Sequence, residues 1–490
     1  MFKNLFIVQP VHATPKVDAG EHIVGAMPGE VTFKRALTAK HLIMLGIGAV
    51  IGAGIFVLTG QAAAVHAGPA VILSFVFAGI ACAFAGLCYA EFASMLPVSG
   101  SAYSYAYATL GELAAWFIGW MLVLEYLFAA STVAVGWSGY LQSLLVSLDV
   151  GLPEYLASAP LTLVDGSFQT TGALINLPAV LIVAAIGILC YVGISQSAFV
   201  NSIAVAIKVT VILLFVGFSL KYVDAQNWVP FIPAAQGDGH FGWDGVFRGA
   251  SVVFFAYIGF DAVSTAAQEC VNPQKDMPIG ILGSLAICTA LYIVVAGVLT
   301  GMIPYLQLNT SHPVATALEA HPALSWLKIV VELGAIAGLS SVILVMMMGQ
   351  PRIFYTMSRD GLLPPMFGKV HPKFRTPYVG TIIVAIVAAI LAGLFPIGVL
   401  GDLVSMGTLL AFTTVSVGVL ILRRTRPDLV RPFRVPMAWL ICPLGALLCF
   451  GLFARTFVDN WLWMGAWIVI GLVIYFSYGY SRSKLRKDGA

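Results

Sequence analysis

The sequence predicts an all-α polytopic membrane protein with twelve transmembrane helices. Sixty per cent of its 490 residues are apolar and only 10% are charged, a composition that would not keep a chain of this length in solution. Apolar segments of about 20 residues, the length a helix needs to cross a hydrocarbon core of about 30 Å, recur along the chain. Basic residues are concentrated in alternate connections between these segments, as in membrane proteins of fixed orientation.

The predicted spans form two units of five helices, followed by two further helices. They lie at 41–65, 69–95, 113–142, 174–194, 199–222, 246–267, 279–303, 326–350, 378–396, 398–422, 436–456 and 461–480. The chain then divides into an N-terminal tail (1–40), a first five-helix unit (41–222), a second unit (246–422), helices eleven and twelve (436–480) and a C-terminal tail (481–490). The N-terminal tail lacks the apolar core and cleavage site of a signal peptide.

The charge distribution predicts the orientation of the chain. Twenty of the 25 Lys and Arg residues lie on the side of the predicted membrane that holds both termini, and the positive-inside rule places that side in the cytoplasm. This asymmetry explains the net charge of +3 and indicates no nucleic-acid partner. The seven cysteines have no spacing typical of disulfides or metal ligands, and we predict neither a metal site nor a cofactor.

The first span contains the stretch GAVIGAGIF (48–56), in which three glycines, Gly48, Gly52 and Gly54, interrupt an apolar run. Each glycine inside a helix is less favourable than alanine by about 1 kcal/mol, so a segment that only crosses the bilayer would not be expected to carry them. The GxxxG spacing of Gly48 and Gly52 is also typical of close helix packing. Gly54 does not extend that face, and we predict unwound backbone at Gly48, Gly52 and Gly54 in the middle of the span.

The sixth span contains a second weak point, at Gly259 and Asp261 in AYIGFDAVST. An aspartate after a glycine is typical of a helix N-cap, which predicts that a new half-helix begins near Phe260. The two weak points are five spans apart, so their helices cross the bilayer in opposite directions. Discontinuous helices at matching positions of inverted five-helix repeats are typical of the substrate site of a secondary transporter.

Unwound backbone in a membrane indicates what kind of ligand it would bind. Hydrocarbon tolerates unpaired N–H and C=O groups only where a polar ligand or protein group completes them. Half-helix N-termini suit a carboxylate, and free carbonyls suit an ammonium group. A zwitterionic α-amino acid carries both, and we predict that the chain binds one.

Two ionisable side chains, Lys208 in span five and Glu125 in span three, lie deep within predicted spans. At 1.5 Å per residue both reach a depth of about 14 Å, so they could share one polar pocket. An ionisable group at this depth indicates a functional role by default. A buried ion pair that only fixes helix packing remains an equal alternative.

Around these residues the chain resembles the amino acid–polyamine–organocation superfamily and, within it, bacterial members of the cationic amino acid transporter group. Besides GAVIGAGIF, the matching stretches are YAEFASMLPVSGSAYSYAYATLGE (89–112), LEYLFAASTVAVGWSGY (124–140), FFAYIGFDAVSTAAQECVNPQKDMPIGI (254–281) and RIFYTMSRDGLLP (352–364). The resemblance implies two inverted five-helix repeats with discontinuous helices one and six, two extra C-terminal helices, and transport by alternating access.

The resemblance also implies roles for individual residues. The substrate carboxylate would meet the amides of Ala53, Gly54 and Ile55, and the substrate amine would meet carbonyls near Val50, Ile51, Phe255, Ala256 and Ile258. Phe255 would cap the substrate on the outer side, Glu125 would lie near its side chain, and Asp261 belongs to the same candidate binding set. Lys208 would replace the cation of sodium-coupled relatives.

These features together predict proton-coupled symport of an L-amino acid across a bacterial inner membrane. Burial disfavours the charged form of a lysine, so Lys208 is the predicted proton switch, with Glu125 as a second proton-coupling residue. Met346 in span eight would narrow the pocket, so we predict that small neutral amino acids such as alanine compete at least as well as cationic ones such as arginine. Substrates of either class, or of both, stay open. An exchanger, or an amino acid sensor that does not transport, remains an alternative on the same fold.

Other function classes find less support in the sequence. None of the eight histidines is in the middle of a span, and the H-E-x-x-H and G-x-S-x-G motifs do not occur, so we predict no enzyme activity. Membrane lipid surrounds the predicted helices. A small single-span partner subunit, placed on span five or on the last two spans, remains open.

Overall fold

The computed structural model describes residue 8 and residues 37–96, 100–164, 167–192, 198–237, 239–374 and 376–488. Most of the predicted N-terminal tail, 1–40, therefore lies outside the described residues. The described residues fold mainly as helices.

The first half of the chain contains eight helices. These are α1 (Ala39–Val50), α2 (consecutive turns Gly54–Leu58, Thr59–Ala62 and Ala63–Ala67), α3 (Val71–Met95), α4 (Ser101–Thr109), α5 (continuous through Glu112–Val123, Leu124–Phe128 and Ala129–Ser147), α6 (Glu154–Ala157), α7 (Leu177–Val192) and α8 (Ala198–Ser219), as counted over the described residues. Between α6 and α7 two short antiparallel strands, β1 (Leu161–Val164) and β2 (Ser167–Thr170), pair with Leu161 opposite Thr170. The prediction of an all-α chain missed this hairpin.

The second half begins with the broken sixth segment. Its helices are α9 (Gly242–Val253, with a last turn Phe254–Tyr257), α10 (Asp261–Glu269, a 3-10 helix), α11 (Pro273–Met302), α12 (Pro313–Glu319), α13 (Ser325–Arg359), α14 (Tyr378–Leu394), α15 (Ile397–Thr425), α16 (Ala438–Ile474) and α17 (Lys484–Asp488). Single turns at Gly68–Ala70, Leu220–Tyr222, Ala225–Trp228, Tyr305–Leu308, Pro322–Leu324, Pro365–Gly368, Tyr475–Gly479 and Tyr480–Arg482 complete the helical structure of the described residues.

Over the described residues, eight helical stretches are long and apolar enough to cross a membrane, and three shorter apolar helices, α1, α7 and α14, accompany them. The number is lower than twelve partly because α16 runs through both predicted spans eleven and twelve. Inside α16 the backbone of Asn460 leaves the helical region, with φ −122° and ψ 21°. The chain is a polytopic membrane protein, and the number of twelve helices stays a prediction.

Large apolar side chains lie on the surface of the fold as well as in its core. Large apolar side chains such as Leu447 and Val473 on α16 and Ile386 on α14 are more than half exposed. Exposed apolar area of this kind marks a membrane contact in a chain that buries a full core as well. α14 and α16 therefore carry exposed apolar surface of the kind expected in a polytopic membrane protein.

The broken segments lie at the centre of the packed helices. α1 packs against α8, α11 and α13, and the first turn of α2 packs against the last turn of α9. α3 and α11 flank this centre, and α5 packs along α13. The two weak points that the sequence predicts in spans one and six therefore meet inside the fold.

Candidate functional site

The first segment breaks between α1 and α2. α1 ends at Val50, and Ile51 is extended, with φ −72° and ψ 100°. Helical backbone resumes at Ala53, and the first turn of α2 begins at Gly54. The carbonyls that end α1 and the amides that begin α2 have no partners in their own helix, because a helix leaves about four such groups free at each end.

The sixth segment breaks between α9 and α10. Ile258 is extended, with φ −63° and ψ 132°, and Gly259 has φ +116°. Glycine is required at this φ because other residues are strained there. A Cβ on Gly259 would also lie 2.9 Å from the carbonyl carbon of Ala49 in α1.

The two breaks are in direct backbone contact. A Cβ on Gly54 would lie 2.2 Å from the Cα of Ala256, so only glycine fits at this crossing. The prediction gave Gly54 the role of exposing backbone to a ligand, and the structure adds a packing reason. Of the other glycines predicted in unwound backbone, Gly52 and Gly259 lie in the breaks, whereas Gly48 lies inside α1 and the prediction for it was wrong.

Lys208 of α8 reaches the end of α1. Its Nζ donates hydrogen bonds to the carbonyls of Gly48 (2.7 Å) and Ile51 (3.1 Å), and the residue is fully buried. Gly338 of α13 makes room for the lysine stem, since a Cβ there would lie 3.1 Å from Lys208 Cγ. The Lys208 side chain thus links α8 to the carbonyls at the end of α1 and packs against α13.

Tyr292 of α11 is a site residue that the sequence interpretation missed. Its hydroxyl lies 2.8 Å from the carbonyl oxygen of Val50 and 2.8 Å from that of Ala256. One side chain therefore reaches both breaks. The only signal in the sequence is a hydroxyl in the middle of the apolar stretch TALYIVV (289–295).

The contacts of Lys208 and Tyr292 reduce the hydrogen-bonding capacity that the carbonyls at the breaks have left for a substrate amine. Of the carbonyls predicted to bind the substrate amine, that of Ile51 already accepts a hydrogen bond from Lys208, and those of Val50 and Ala256 share the single O–H of Tyr292. The carbonyl of Phe255 accepts from the Ile258 amide at 3.2 Å. A substrate amine would have to use the second lone pair of a carbonyl or displace a protein donor.

The amides at the start of α2 offer a different kind of contact. Ala53, Gly54 and Ile55 begin the resumed helix and are buried. A helix N-terminus of this kind attracts an anion such as a carboxylate. Further along the turn, the Tyr140 hydroxyl donates to the Phe56 carbonyl at 2.7 Å and anchors α2 to α5.

Asp261 starts α10 but does not cap it. Its carboxylate accepts hydrogen bonds from the Gly259 amide (3.2 Å) and the Tyr126 hydroxyl (3.2 Å), and no side-chain cap is formed on the amides that follow. The N-cap prediction was wrong, although a helix does begin at this residue. The reason is that the positive φ of Gly259 turns its amide back towards the carboxylate.

Glu125 lies beside Asp261 rather than beside Lys208. It occupies a π-helical turn of α5, Leu124–Phe128, and its carboxyl group interacts with that of Asp261. The predicted common pocket with Lys208 was wrong, because within the described residues Lys208 donates to backbone carbonyls and forms no ion pair with Glu125. Equal depth along two helices did not bring the two side chains together.

The remaining predicted residues, Phe255, Ile258 and Met346, are all buried. Phe255 lies in the last turn before the sixth break and Ile258 within it, and both are buried. Met346 is buried in α13, the helix that also packs against Lys208 through Gly338. That these three residues contact a substrate stays a prediction.

Charged networks lie at both ends of the helices. On one side Glu91 of α3 pairs with Arg423 of α15 (2.5 Å) and accepts a hydrogen bond from the Val435 amide. On the other side Arg248 of α9 pairs with Asp402 at 2.7 Å. The first network joins α3 to α15, and the second joins α9 to α15.

Tyr292→Phe tests the bridge between the breaks. The variant removes the hydroxyl from two buried carbonyls, and a buried group left unpaired costs about 1–3 kcal/mol. We expect a lower melting temperature in detergent and uptake reduced several-fold. Tyr257→Phe is the matched control: Tyr257 ends the turn before the sixth break, but its buried hydroxyl donates to the Phe75 carbonyl of α3 at 2.9 Å and not to a carbonyl of either break. Equal effects of the two variants would contradict a special role for Tyr292.

Comparison with known proteins gives a consistent result. A model of the amino acid permease family matches residues 37–476. The chain is 48% identical to the branched-chain amino acid permease BcaP of Bacillus subtilis over 468 residues, which are 95% of this chain and 98% of that protein. It is 47% identical to the methylthioribose transporter of Bacillus subtilis over 455 residues, 92% of this chain and 95% of that protein.

A plant protein is also similar. The vacuolar cationic amino acid transporter 2 of Arabidopsis thaliana is 41% identical over 394 residues, which are 80% of this chain and 60% of that protein. These matches confirm the resemblance on which the sequence interpretation depended.

Proposed function

Because this chain belongs to the amino acid permease family, we propose that it is a proton-coupled symporter that carries L-amino acids across the bacterial inner membrane by alternating access. It is an amino acid transporter and not an enzyme, as its relatives are permeases and transporters. Proton coupling, the direction of transport and the choice among amino acids are parts of the proposal.

One observation carries the proton coupling: Lys208 is fully buried and bonds to the carbonyls of Gly48 and Ile51. A protonated lysine offers three donors and a charge to this broken backbone, and a neutral amine offers fewer donors and no charge. Loss of the proton would weaken the link between α1 and α8. Protonation of Lys208 is therefore coupled to the conformation of the first break.

The substrate would be held at the two breaks. Its carboxylate would meet the amides of Ala53, Gly54 and Ile55, which lie at the start of a half-helix. Its amine would approach the carbonyls of the sixth break, and Phe255 would close over it from the outer side. The direct contact of Gly54 with Ala256 supports this arrangement, because movement of either segment alters both binding surfaces.

The wider architecture is part of the same proposal. Twelve helices would form two inverted five-helix repeats, 41–222 and 246–422, with helices 436–480 added outside them. Both tails, 1–40 and 481–490, would lie in the cytoplasm. A small single-span partner remains a possibility that co-purification would test, and membrane lipid contacts the exposed apolar side chains.

Proteoliposomes test the proposed function directly. We expect [14C]alanine to accumulate when the side that supplies substrate is the more acidic, and accumulation to stop when an ionophore collapses the pH gradient. An exchanger would show counterflow without this accumulation. A sensor would bind alanine, seen as a thermal shift in detergent, without either form of transport.

Substrate choice gives a separate prediction. The relatives are named for branched-chain amino acids, methylthioribose and cationic amino acids, so their names do not select one substrate. The buried thioether of Met346 leaves less room than a small residue would. We expect excess alanine to inhibit uptake at least as strongly as excess arginine does. Strong arginine uptake that excess alanine leaves unaffected would contradict this prediction.

A further inference from the structure

Two buried carboxyl groups, those of Glu125 and Asp261, lie side by side at the sixth break with very different partners. Asp261 accepts hydrogen bonds from the Gly259 amide and the Tyr126 hydroxyl. Over the described residues, both oxygens of Glu125 are buried without a hydrogen-bond partner, because the neighbouring Thr408 hydroxyl donates to the Val404 carbonyl at 3.1 Å instead. Such an acceptor without a donor is costly to bury, and two adjacent carboxylates would also repel each other.

One proton on Glu125 removes both costs. A protonated carboxyl group is a donor as well as an acceptor. The Glu125 O–H can donate to the Asp261 carboxylate, which then has three donors around its negative charge. Asp261 is the better place for the charge, because it already has two donors and Glu125 has none.

The surroundings supply no positive charge to this pair. The titratable groups that face it within the described residues are Tyr126 on α5, Tyr89 and Cys82 on α3, and Tyr105 on α4, all of them neutral acids. Thr408 on α15, also near Glu125, is uncharged. Lys208 is committed to the carbonyls of α1. The pair therefore keeps one negative charge that no fixed cation balances.

We propose that Glu125 and Asp261 share a single proton, and that a positively charged substrate side chain binds this pair by displacing that proton. The proton leaves Glu125 for solvent, and the new carboxylate accepts hydrogen bonds from the guanidinium or ammonium group. One positive charge enters as another leaves. A neutral amino acid binds with the proton in place.

This arrangement makes substrate selectivity depend on pH. Each cationic substrate molecule releases one proton, so its affinity falls about tenfold for each unit of decrease in pH while Glu125 is protonated. A neutral substrate releases none at this pair. Any effect of pH on Lys208 changes both affinities together, so the ratio of arginine affinity to alanine affinity reports on Glu125 alone.

The test is calorimetric titration of the full chain in detergent with L-arginine and with L-alanine over a series of pH values. We expect the arginine-to-alanine affinity ratio to rise about tenfold per pH unit in the wild type. Glu125→Gln should lower the ratio and remove its pH dependence, because the amide cannot ionise. Asp261→Asn should remove the pH dependence but keep a high ratio, because its amide donates to an ionised Glu125.

A second measurement needs no variant. The infrared C=O band of protonated carboxyl groups should weaken when arginine is added to the wild type and stay constant when alanine is added. The inference is overturned by a ratio that does not change with pH, by a pH dependence that Glu125→Gln leaves intact, or by binding of alanine without any binding of arginine. It rests on the proposed function, which fails separately if neither amino acid binds.

Discussion

Lys208→Ala should abolish the accumulation of alanine driven by a pH gradient in proteoliposomes. The substitution removes the only side chain donor that reaches the carbonyls of Gly48 and Ile51 among the described residues. Each buried group left unpaired costs about 1–3 kcal/mol. Since about 1.4 kcal/mol corresponds to a factor of ten, the two unpaired carbonyls alone should reduce alanine accumulation at least about tenfold.

The control for this variant is Lys221→Ala. Lys221 follows the C-terminal end of the same helix, is exposed, and lies over the ring of Tyr222, so its loss should leave accumulation unchanged. Melting temperatures of both variants in detergent separate loss of coupling from loss of the fold. Accumulation that persists in folded Lys208→Ala would show that the proton is carried elsewhere.

Gly54→Ala should reduce transport by at least about tenfold through a clash of backbones. The new Cβ would lie 2.2 Å from the Cα of Ala256, and no rotation of a side chain can relieve a contact with a Cα. Overpacking a core in this way costs about 1–3 kcal/mol, and here the strain falls on the crossing of the two breaks. Initial rates of alanine uptake and the melting temperature measure the two effects.

Two other glycines provide a graded comparison for this variant. At Gly52 the added Cβ would lie 3.2 Å from Val342 Cγ2, a contact that a small movement of the valine can relieve. At Gly217 it would meet nothing within 4 Å. We expect the loss of uptake to be greatest for Gly54→Ala, smaller for Gly52→Ala and negligible for Gly217→Ala. The same loss in all three would contradict a steric cause.

The positions of the two helix breaks could be predicted from the sequence, because a break depends mainly on the residues at the break itself. Gly259, with φ +116°, lies where the sequence predicts a break, and α1 ends at Val50 within the glycine-rich stretch. Glycine and a mid-span aspartate mark these positions whatever their neighbours are. The glycine pattern did not separate Gly48, which stays helical, from Gly52, because both share one spacing and differ only in what packs around them.

Contacts between side chains of different helices could not be predicted from the sequence in the same way. The rise per residue placed Lys208 and Glu125 at similar depths, but depth does not say which way a side chain points around its helix axis. Lys208 meets α1, and Glu125 meets Asp261. In the sequence Tyr292 is one tyrosine of an apolar helix, and only the fold places its hydroxyl between the backbones of the two breaks.

The sequence by itself determined that this chain is a membrane protein of the amino acid permease family and where its helices break, because hydropathy, glycine spacing and motifs are properties of the chain order. Only the tertiary structure decided which donors complete the broken backbone and which carboxyl groups share a site. Those partners come from α8, α11 and α5, far apart in sequence, and only the packing angles of the helices bring them together.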